Sequence, residues 1–247
     1  MPVRQVDKML DLFETFARRK VPLTLTALSN ELIMPKSSAF NLISTLVARG
    51  FLYETRPRGG YYPTLRLLDL ARTIMEGDPY LQRIHGELET LAEQTGETAL
   101  LAIRDRDEVI YIDVVESPAM IRYSVKVGDR RPIYTTSSGK AILTTYPPAE
   151  RNRILRALPY HPHQAATLRT PRDLARDLTA AIERGWCEDK AETIADVMGL
   201  AVPILDSERR FGLAIAGPFY RMEDRREELA LQLQAAGSRI MRSVGSG

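Results

Sequence analysis

One cysteine, three histidines and one tryptophan in 247 residues leave several chemistries without material. A lone Cys187 can neither close a disulfide within the chain nor supply a cysteine-rich zinc site, which suits a reducing compartment, the cytoplasm. As a residue it reads as a small buried apolar side chain. His85, His161 and His163 lack acidic or cysteine partners at metal-ligand spacing, so neither a metal nor another cofactor is expected. No run approaches the roughly 18 apolar residues of a membrane-spanning helix, and no membrane partner is expected. The opening MPVRQVDKMLDLFETF carries Asp7, Asp11 and Glu14 in an amphipathic pattern, and reads as the first helix of a fold rather than a leader. Charge of one sign is scarce too: 34 basic against 32 acidic side chains give a formal +2, too little by itself to argue for nucleic acid.

What the chain does have is clear punctuation. Residues 6–18 place Met9, Leu10, Leu12, Phe13 and Phe16 at helical spacing. A second helix starts at Thr24 or Thr26, either of which can cap it, and sets Leu28 and Leu32 one turn apart. A third starts after Pro35, turns Ala39, Leu42, Ile43 and Leu46 inward, and stops at Gly50. Only residues 33–35 separate the last two, as in a helix-turn-helix. FLYET, RPRGG and YYPTL then read as a strand, a tip and a returning strand. Three helices and a hairpin make a winged helix over residues 1–64. Residues 65–78 follow as a linker helix, ended by Gly77 and Pro79.

Residues 79–247 read as a mixed α/β domain. A helix to about Gln94 precedes the strands ETALLAI and EVIYIDVV, and Ile121, Tyr123 and Val125 alternate as a further strand. Thr170-Pro171-Arg172-Asp173 opens a helix that Gly185 closes. LAVPIL and FGLAIAG are strands, and a terminal helix ends the chain. The fold class is therefore α+β, with an N-terminal winged helix-turn-helix, a linker helix and a larger C-terminal domain.

If the third helix enters a major groove, Lys36, Ser37, Ser38, Phe40 and Asn41 are the residues near its start that point away from the core. Lysine suits phosphate or guanine, asparagine can pair with adenine, and a phenyl ring can touch a thymine methyl. The plainer reading makes Ser37 a cap and Phe40 a core residue. Arg56 and Arg58, beside Gly59 and Gly60, are placed to reach a DNA backbone or minor groove, or else form a solvated turn. The partner implied is double-stranded operator DNA.

A second constellation is Tyr134-Thr135-Thr136-Ser137-Ser138-Gly139-Lys140, small polar residues just before the apolar helical run Ala141-Ile142-Leu143. The unpaired N–H groups of such a helix start attract an anion, and a small carboxylate is the natural ligand. Ordinary capping by Ser137 or Ser138 is the plainer reading. Ser137 and Lys140 match S-x-x-K, yet the accompanying S-D-N and K-T-G elements are missing. Gly139-Lys140 is not a P-loop end, because Ala141 replaces the Ser or Thr and Tyr134 stands at the first glycine position. No catalytic residue is assigned. The alternative function, a cytosolic enzyme acting on a small carboxylic acid, would need a base beside Ser137, and the sequence offers none.

Three blocks, MPKSSAFNLISTLVARGFL, SSGKAIL and GLAVPILDSERRFGLAIAGP, occur in order across the whole chain and resemble the IclR-type transcriptional regulators. The resemblance implies a GAF-like or PAS-like effector domain and a linker helix used in dimerisation. It also implies a homodimer, often paired into a tetramer, at palindromic operators. Residue by residue, it implies a cavity in which the N–H groups of Ser137 and Ser138 hold the effector. Asp189 matches an acidic pocket residue, and Met120, Tyr123 and Val197 match apolar walls. Arg131 falls at a wall position that is apolar in some members. Gly199, Ala214 and Ala216 replace a thiol and two hydroxyls of some relatives. A larger, less polar floor is thus expected, and with it a hydroxylated or aromatic acid rather than a two-carbon one. Asp189 would repel a carboxylate unless it accepts a hydroxyl proton or pairs with Arg131. The expected function is ligand-responsive control of transcription.

Overall fold

A computed structural model describes residues 3–56, 59–77 and 79–244. The chain divides into two compact units, Met1–Asp78 and Pro79–Gly247.

In the first unit, α1 (Arg4–Arg19), α2 (Leu25–Glu31) and α3 (Lys36–Ala48) precede a hairpin of β1 (Leu52–Glu54) and β2 (Tyr61–Pro63), followed by α4 (Arg66–Glu76). Of the two possible caps, Thr24 is used: its hydroxyl accepts the Ala27 N–H at 3.3 Å. Leu12, Phe16, Leu28, Leu32, Ile43, Leu46 and Leu52 form the core, with Leu42 packed at its margin. Burying each such side chain is worth roughly 1.5–3 kcal/mol, which holds three short helices that would be marginal alone. The turn between α2 and α3 is closed by the Ser29 hydroxyl, which donates to the Met34 carbonyl at 2.7 Å. Ile33 within that turn has φ 50°, a left-handed conformation uncommon for a β-branched residue, and is 83% exposed. The Glu31 carboxylate ties α2 to α1 through Arg18 and Arg19. Leu23 pairs with Tyr61 along the outer edge of the hairpin. Gly60 makes this possible: at its φ of 106°, a Cβ would come within 3.0 Å of the Leu23 backbone. On α4, Leu67, Leu68, Leu70 and Ile74 remain exposed.

The second unit is a six-stranded antiparallel sheet of order β5-β4-β3-β8-β7-β6. Its strands are β3 (Thr98–Asp105), β4 (Glu108–Val115), β5 (Arg130–Pro132), β6 (Cys187–Lys190), β7 (Val197–Asp206) and β8 (Arg209–Pro218). Strand alternation divides the apolar residues between two cores. On one face Leu101, Leu200, Leu213 and Ile215 pack against α5 (Pro79–Thr95) and α10 (Arg226–Val244). On the other, Leu100, Ala102, Ala201 and Ala214 pack against α6 (Ser137–Thr144), α7 (Pro148–Ala157) and α8 (Pro171–Arg184). A short α9 (Phe219–Met222) precedes α10. Thr170 caps α8 by accepting the Asp173 N–H at 3.1 Å, and Gly185 ends it with φ 86°.

The alternation at Ile121, Tyr123 and Val125 does not make a strand. This segment is irregular, and Ile121 is exposed while Val125 is buried. Its carbonyls are taken by side chains instead of a ladder: Thr98 donates to Tyr123 at 2.6 Å and Arg221 to Ile121 at 3.0 Å. The same Arg221 grips the buried Glu97 carboxylate through two 2.6 Å bonds. β5, β6 and α7 were not foreseen; two are very short strands, and α7 lacks a strong apolar stripe. Among the described residues, no helix is long and apolar enough to cross a membrane.

Candidate functional site

The first candidate site lies on α3, where Lys36, Ser37, Ser38, Phe40 and Asn41 are all exposed. Phe40 keeps 51% of its surface in solvent and is not part of the core. Ser37 does not cap, since the cap position is Pro35 and no side chain bonds there. A groove runs beside this face, bordered by Ser38, Asn41 and Thr45 of α3 and by Arg4, Gln5 and Lys8 of α1. Sequence pattern alone did not single out the three α1 residues, because nothing in it brings the start of α1 beside α3. Arg56 is exposed at the hairpin tip, and Arg58 lies outside the described residues. Arg18 and Arg19, part of the basic surplus of this region, are engaged by Glu31.

The second candidate site is a cavity between α6 and the sheet. Tyr123, Ser137, Ser138, Asp189, Val197, Gly199, Ala214 and Ala216 line it, joined by Leu100, Tyr111, Thr136, Thr193 and Ile194. The floor is set by register, because Gly199 pairs with Ala216 and Leu100 with Ala214 across adjacent strands. α6 lies unusually close to that floor. A Cβ on Gly212 would come within 2.4 Å of the Ser138 carbonyl oxygen, and one on Gly139 within 2.1 Å of the Ile133 oxygen. Gly212 thus lets the α6 backbone rest directly on β8, and Gly139 lets α6 fold back tightly on the turn that leads into it. The cap of α6 is Thr136, whose hydroxyl accepts the Gly139 N–H at 3.1 Å. Ser137 and Ser138 therefore do not cap, and their first-turn N–H groups have no acceptor within the helix.

Two of the ten cavity residues implied by resemblance lie elsewhere. Met120 is 94% exposed, at the tip of the irregular segment. Arg131 is on the edge strand, where it donates to the Arg130 carbonyl at 2.7 Å and faces Asp129 at 3.9 Å; it makes no pair with Asp189. The room above that floor is small. The free space is about 20 Å³, little more than one water needs. The reason lies at Gly199, where a Cβ would stand 2.7 Å from the Ser137 hydroxyl oxygen: the serine fills the room the glycine leaves.

Asp189 accepts the Glu192 N–H at 2.7 Å and the Thr193 hydroxyl at 3.0 Å. Burial pushes its carboxyl up to about 6, against the lowering effect of those bonds and of Lys140. Tyr111 shares a hydrogen bond with Tyr123, and burial drives its phenol well above the usual range. Lys140 is wholly buried. Its ammonium donates to the Glu188 carbonyl at 3.0 Å and to Glu192, and it pairs with Asp177 at 3.0 Å. Burial alone would lower its pKa, but Glu192 and Asp177 outweigh that and hold it charged. A lysine so occupied cannot act as the base of an S-x-x-K pair. Tyr134 engages the histidine segment: its hydroxyl takes the His161 N–H at 2.7 Å and lies 3.2 Å from His163 Nε2. Cys187 is buried, and its thiol is pushed up to about 12 by that burial.

Comparison with known proteins bears on both sites. Residues 5–56 match the family described as IclR helix-turn-helix domain, and residues 76–242 match Bacterial transcriptional regulator IclR C-terminal. The HTH-type transcriptional regulator XynR of Escherichia coli is 30% identical over 252 residues, covering 99% of each chain. Transcriptional repressor IclR of the same organism is 27% identical, covering 91% of this chain and 83% of its own. The Thermotoga maritima IclR crystal structure is similar with a TM-score of 0.70 at 26% identity, covering 97% of this chain and 98% of that one. An IclR homolog from Microbacterium hydrocarbonoxydans, solved with 4-hydroxybenzoate, shares the fold with a TM-score of 0.75 at 22% identity, covering 98% of this chain and all (100%) of that one.

Proposed function

Because the chain belongs to the IclR family of bacterial transcriptional regulators, we propose that its first unit reads a palindromic operator and that its second unit makes that reading depend on a small carboxylate. It is a regulator and not an enzyme. Lys36, Ser37, Ser38, Phe40 and Asn41 meet the major groove, and Arg56 and Arg58 meet the backbone or minor groove. The observation that carries this is the exposure of all five α3 residues on a helix whose other face is locked into the core.

The effector is a hydroxylated or aromatic carboxylate. Its carboxylate takes the N–H groups at the start of α6, its body lies on Leu100, Val197, Ala214 and Ala216, and Asp189 accepts a hydroxyl proton. The 4-hydroxybenzoate held by a protein of the same fold has this chemistry. The working unit is a cytoplasmic homodimer, able to pair further, and the apolar surface of α4 supports its use in that contact.

Selection of bound duplexes from a random pool, followed by titration with and without a panel of small carboxylates, tests the reading. An enriched inverted repeat, with affinity changed by a carboxylate of this class, is the expected result. Binding without sequence preference, or indifference to every carboxylate, overturns the corresponding half.

A further inference from the structure

The cavity holds about one water, so any larger ligand requires a wall to move. Most of its walls are fixed. Leu100, Tyr111, Gly199, Ala214 and Ala216 stand on laddered strands, and every residue of α6 from Ser137 to Leu143 is buried. Two walls are on neither α6 with its cap nor a ladder: Tyr123, whose carbonyl is held by Thr98 at 2.6 Å, and the β6–β7 loop, residues 191–196, which supplies Thr193 and Ile194. Ala191 at φ 56° and Asp196 at φ 62° bracket it in left-handed conformations that non-glycine residues hold only under constraint.

Backbone bonds hold the two ends, Ala191 N–H to the Val197 carbonyl at 3.0 Å and Phe219 N–H to the Asp196 carbonyl at 2.7 Å, and side chains hold the middle. Glu192 reaches inward to Lys140, and the Thr193 hydroxyl donates to Asp189 at 3.0 Å and lies 2.9 Å from the Thr135 hydroxyl. Thr167 donates to the Glu192 carbonyl at 2.7 Å. Of the other carboxylates near Lys140, Asp189 also holds the loop, through the Glu192 N–H and the Thr193 hydroxyl, whereas Asp177 is on α8 and Glu188 is engaged by Arg184 at 3.0 Å and Lys190 at 2.8 Å. Lys140 thus joins the helix that starts at the cavity to the loop that closes it. We propose that Lys140 is a positioning residue, the pin of a lid: through Glu192 it holds residues 191–196 shut over the cavity, and the cavity admits a ligand only when that ion pair parts. Its importance for regulation rests on the effector reading above; the lid itself does not.

Hydrogen exchange on the full-length protein without ligand tests it. In Glu192→Gln, the amides of Ala191, Glu192 and Val197 should exchange faster by roughly tenfold or more, because a buried pair has lost one charge. Those of Ser137 and Ser138, behind the lid, should follow. Strand amides of β7 from Met198 onward and of β8 should not change, and neither should labelling of the sole, buried Cys187 by a thiol reagent. Asp177→Asn should leave the loop near wild type, since Asp177 touches Lys140 but not the lid. Unchanged loop exchange in Glu192→Gln overturns the proposal. So does an equal effect of Asp177→Asn, or a rise that includes Cys187 and the strands. Should Glu192→Gln fail to fold, wild type in sub-denaturing urea decides: a lid predicts urea-independent exchange at the loop and at Ser137 and Ser138, distinct from the sheet, whereas exchange that tracks the sheet refutes it. None of these measurements uses DNA or effector, so failure here leaves the regulatory reading to its own test.

Discussion

Two helices of this chain begin with nearly the same residues and end in opposite situations. α3 opens Lys36-Ser37-Ser38-Ala39 with all but the alanine exposed, whereas α6 opens Ser137-Ser138-Gly139-Lys140 with every one buried. The difference is set by what lies opposite. Gly212 lets α6 press its backbone against β8 and Gly139 lets it close on the preceding turn, which forces its lysine into the interior and obliges Asp177 and Glu192 to follow it. α3 meets the apolar side chains of the core through one face only, with Leu52 of β1 among them, so the polar residues of its other face stay in water. Residue type alone therefore does not separate a reading surface from a buried site; the presence of glycine at the contact does.

The contrast is tested most severely at the two lysines. Lys140→Met should cost about 3–5 kcal/mol of stability by leaving two carboxylates without their cation, while Lys36→Met should stay within about 0.5 kcal/mol, both read from urea unfolding. Equal costs would erase the distinction. Next in size, Gly139→Ala should destabilise by about 2–3 kcal/mol through overpacking against Ile133, seen as a lowered Tm, where the exposed Ser38→Ala should not.

Asp189 sharpens the same contrast through pH. Its folded carboxyl titrates near 6 rather than near 3.8, so the folded state holds that proton more tightly. The associated stability is complete below about pH 4 and is lost as pH rises through 6. Glu192, whose carboxyl burial pushes up to about 7, adds a slope of the same sign. Asp189→Asn should therefore reduce the slope rather than abolish it and gain up to about 2–3 kcal/mol on wild type at pH 7, as unfolding across pH 4 to 7 will read; an unchanged slope places the titration elsewhere. On the exposed helix, Asn41→Ala should weaken operator binding by roughly 1–3 kcal/mol with little effect on random DNA. The smallest effect belongs to Arg56→Ala, which should weaken binding to all sequences and flatten the log–log salt dependence by about one unit.

The helix-turn-helix was legible because each of its parts has a local signal. Thr24, Pro35 and Gly50 mark boundaries, and the apolar spacing of Leu28, Leu32, Ile43 and Leu46 marks one face. The cavity was legible only where a helix start or a resemblance pointed to it. Tyr111 could have been found from the alternation of Val109 and Tyr111, both inward on β4. Thr193 and Ile194 carry no periodic signal, being in a loop fixed by side chains from elsewhere. Met120 stands exposed on the same irregular segment that brings Tyr123 to the cavity, a difference no periodic pattern marks, and the filled space beside Gly199 was invisible because it depends on one rotamer of Ser137.

The edges of the sheet limit how copies of this protein can meet. Arg130-Arg131-Pro132 at one edge and Cys187-Glu188-Asp189-Lys190 at the other are short and charged, and the proline offers no N–H for a further strand. Continuation of the sheet from one molecule into the next, the route by which exposed strands aggregate, is thereby discouraged. The homodimer proposed above would then rest on helical surfaces, and an assembly built from those can be closed and counted where one built by adding strands would have no natural end.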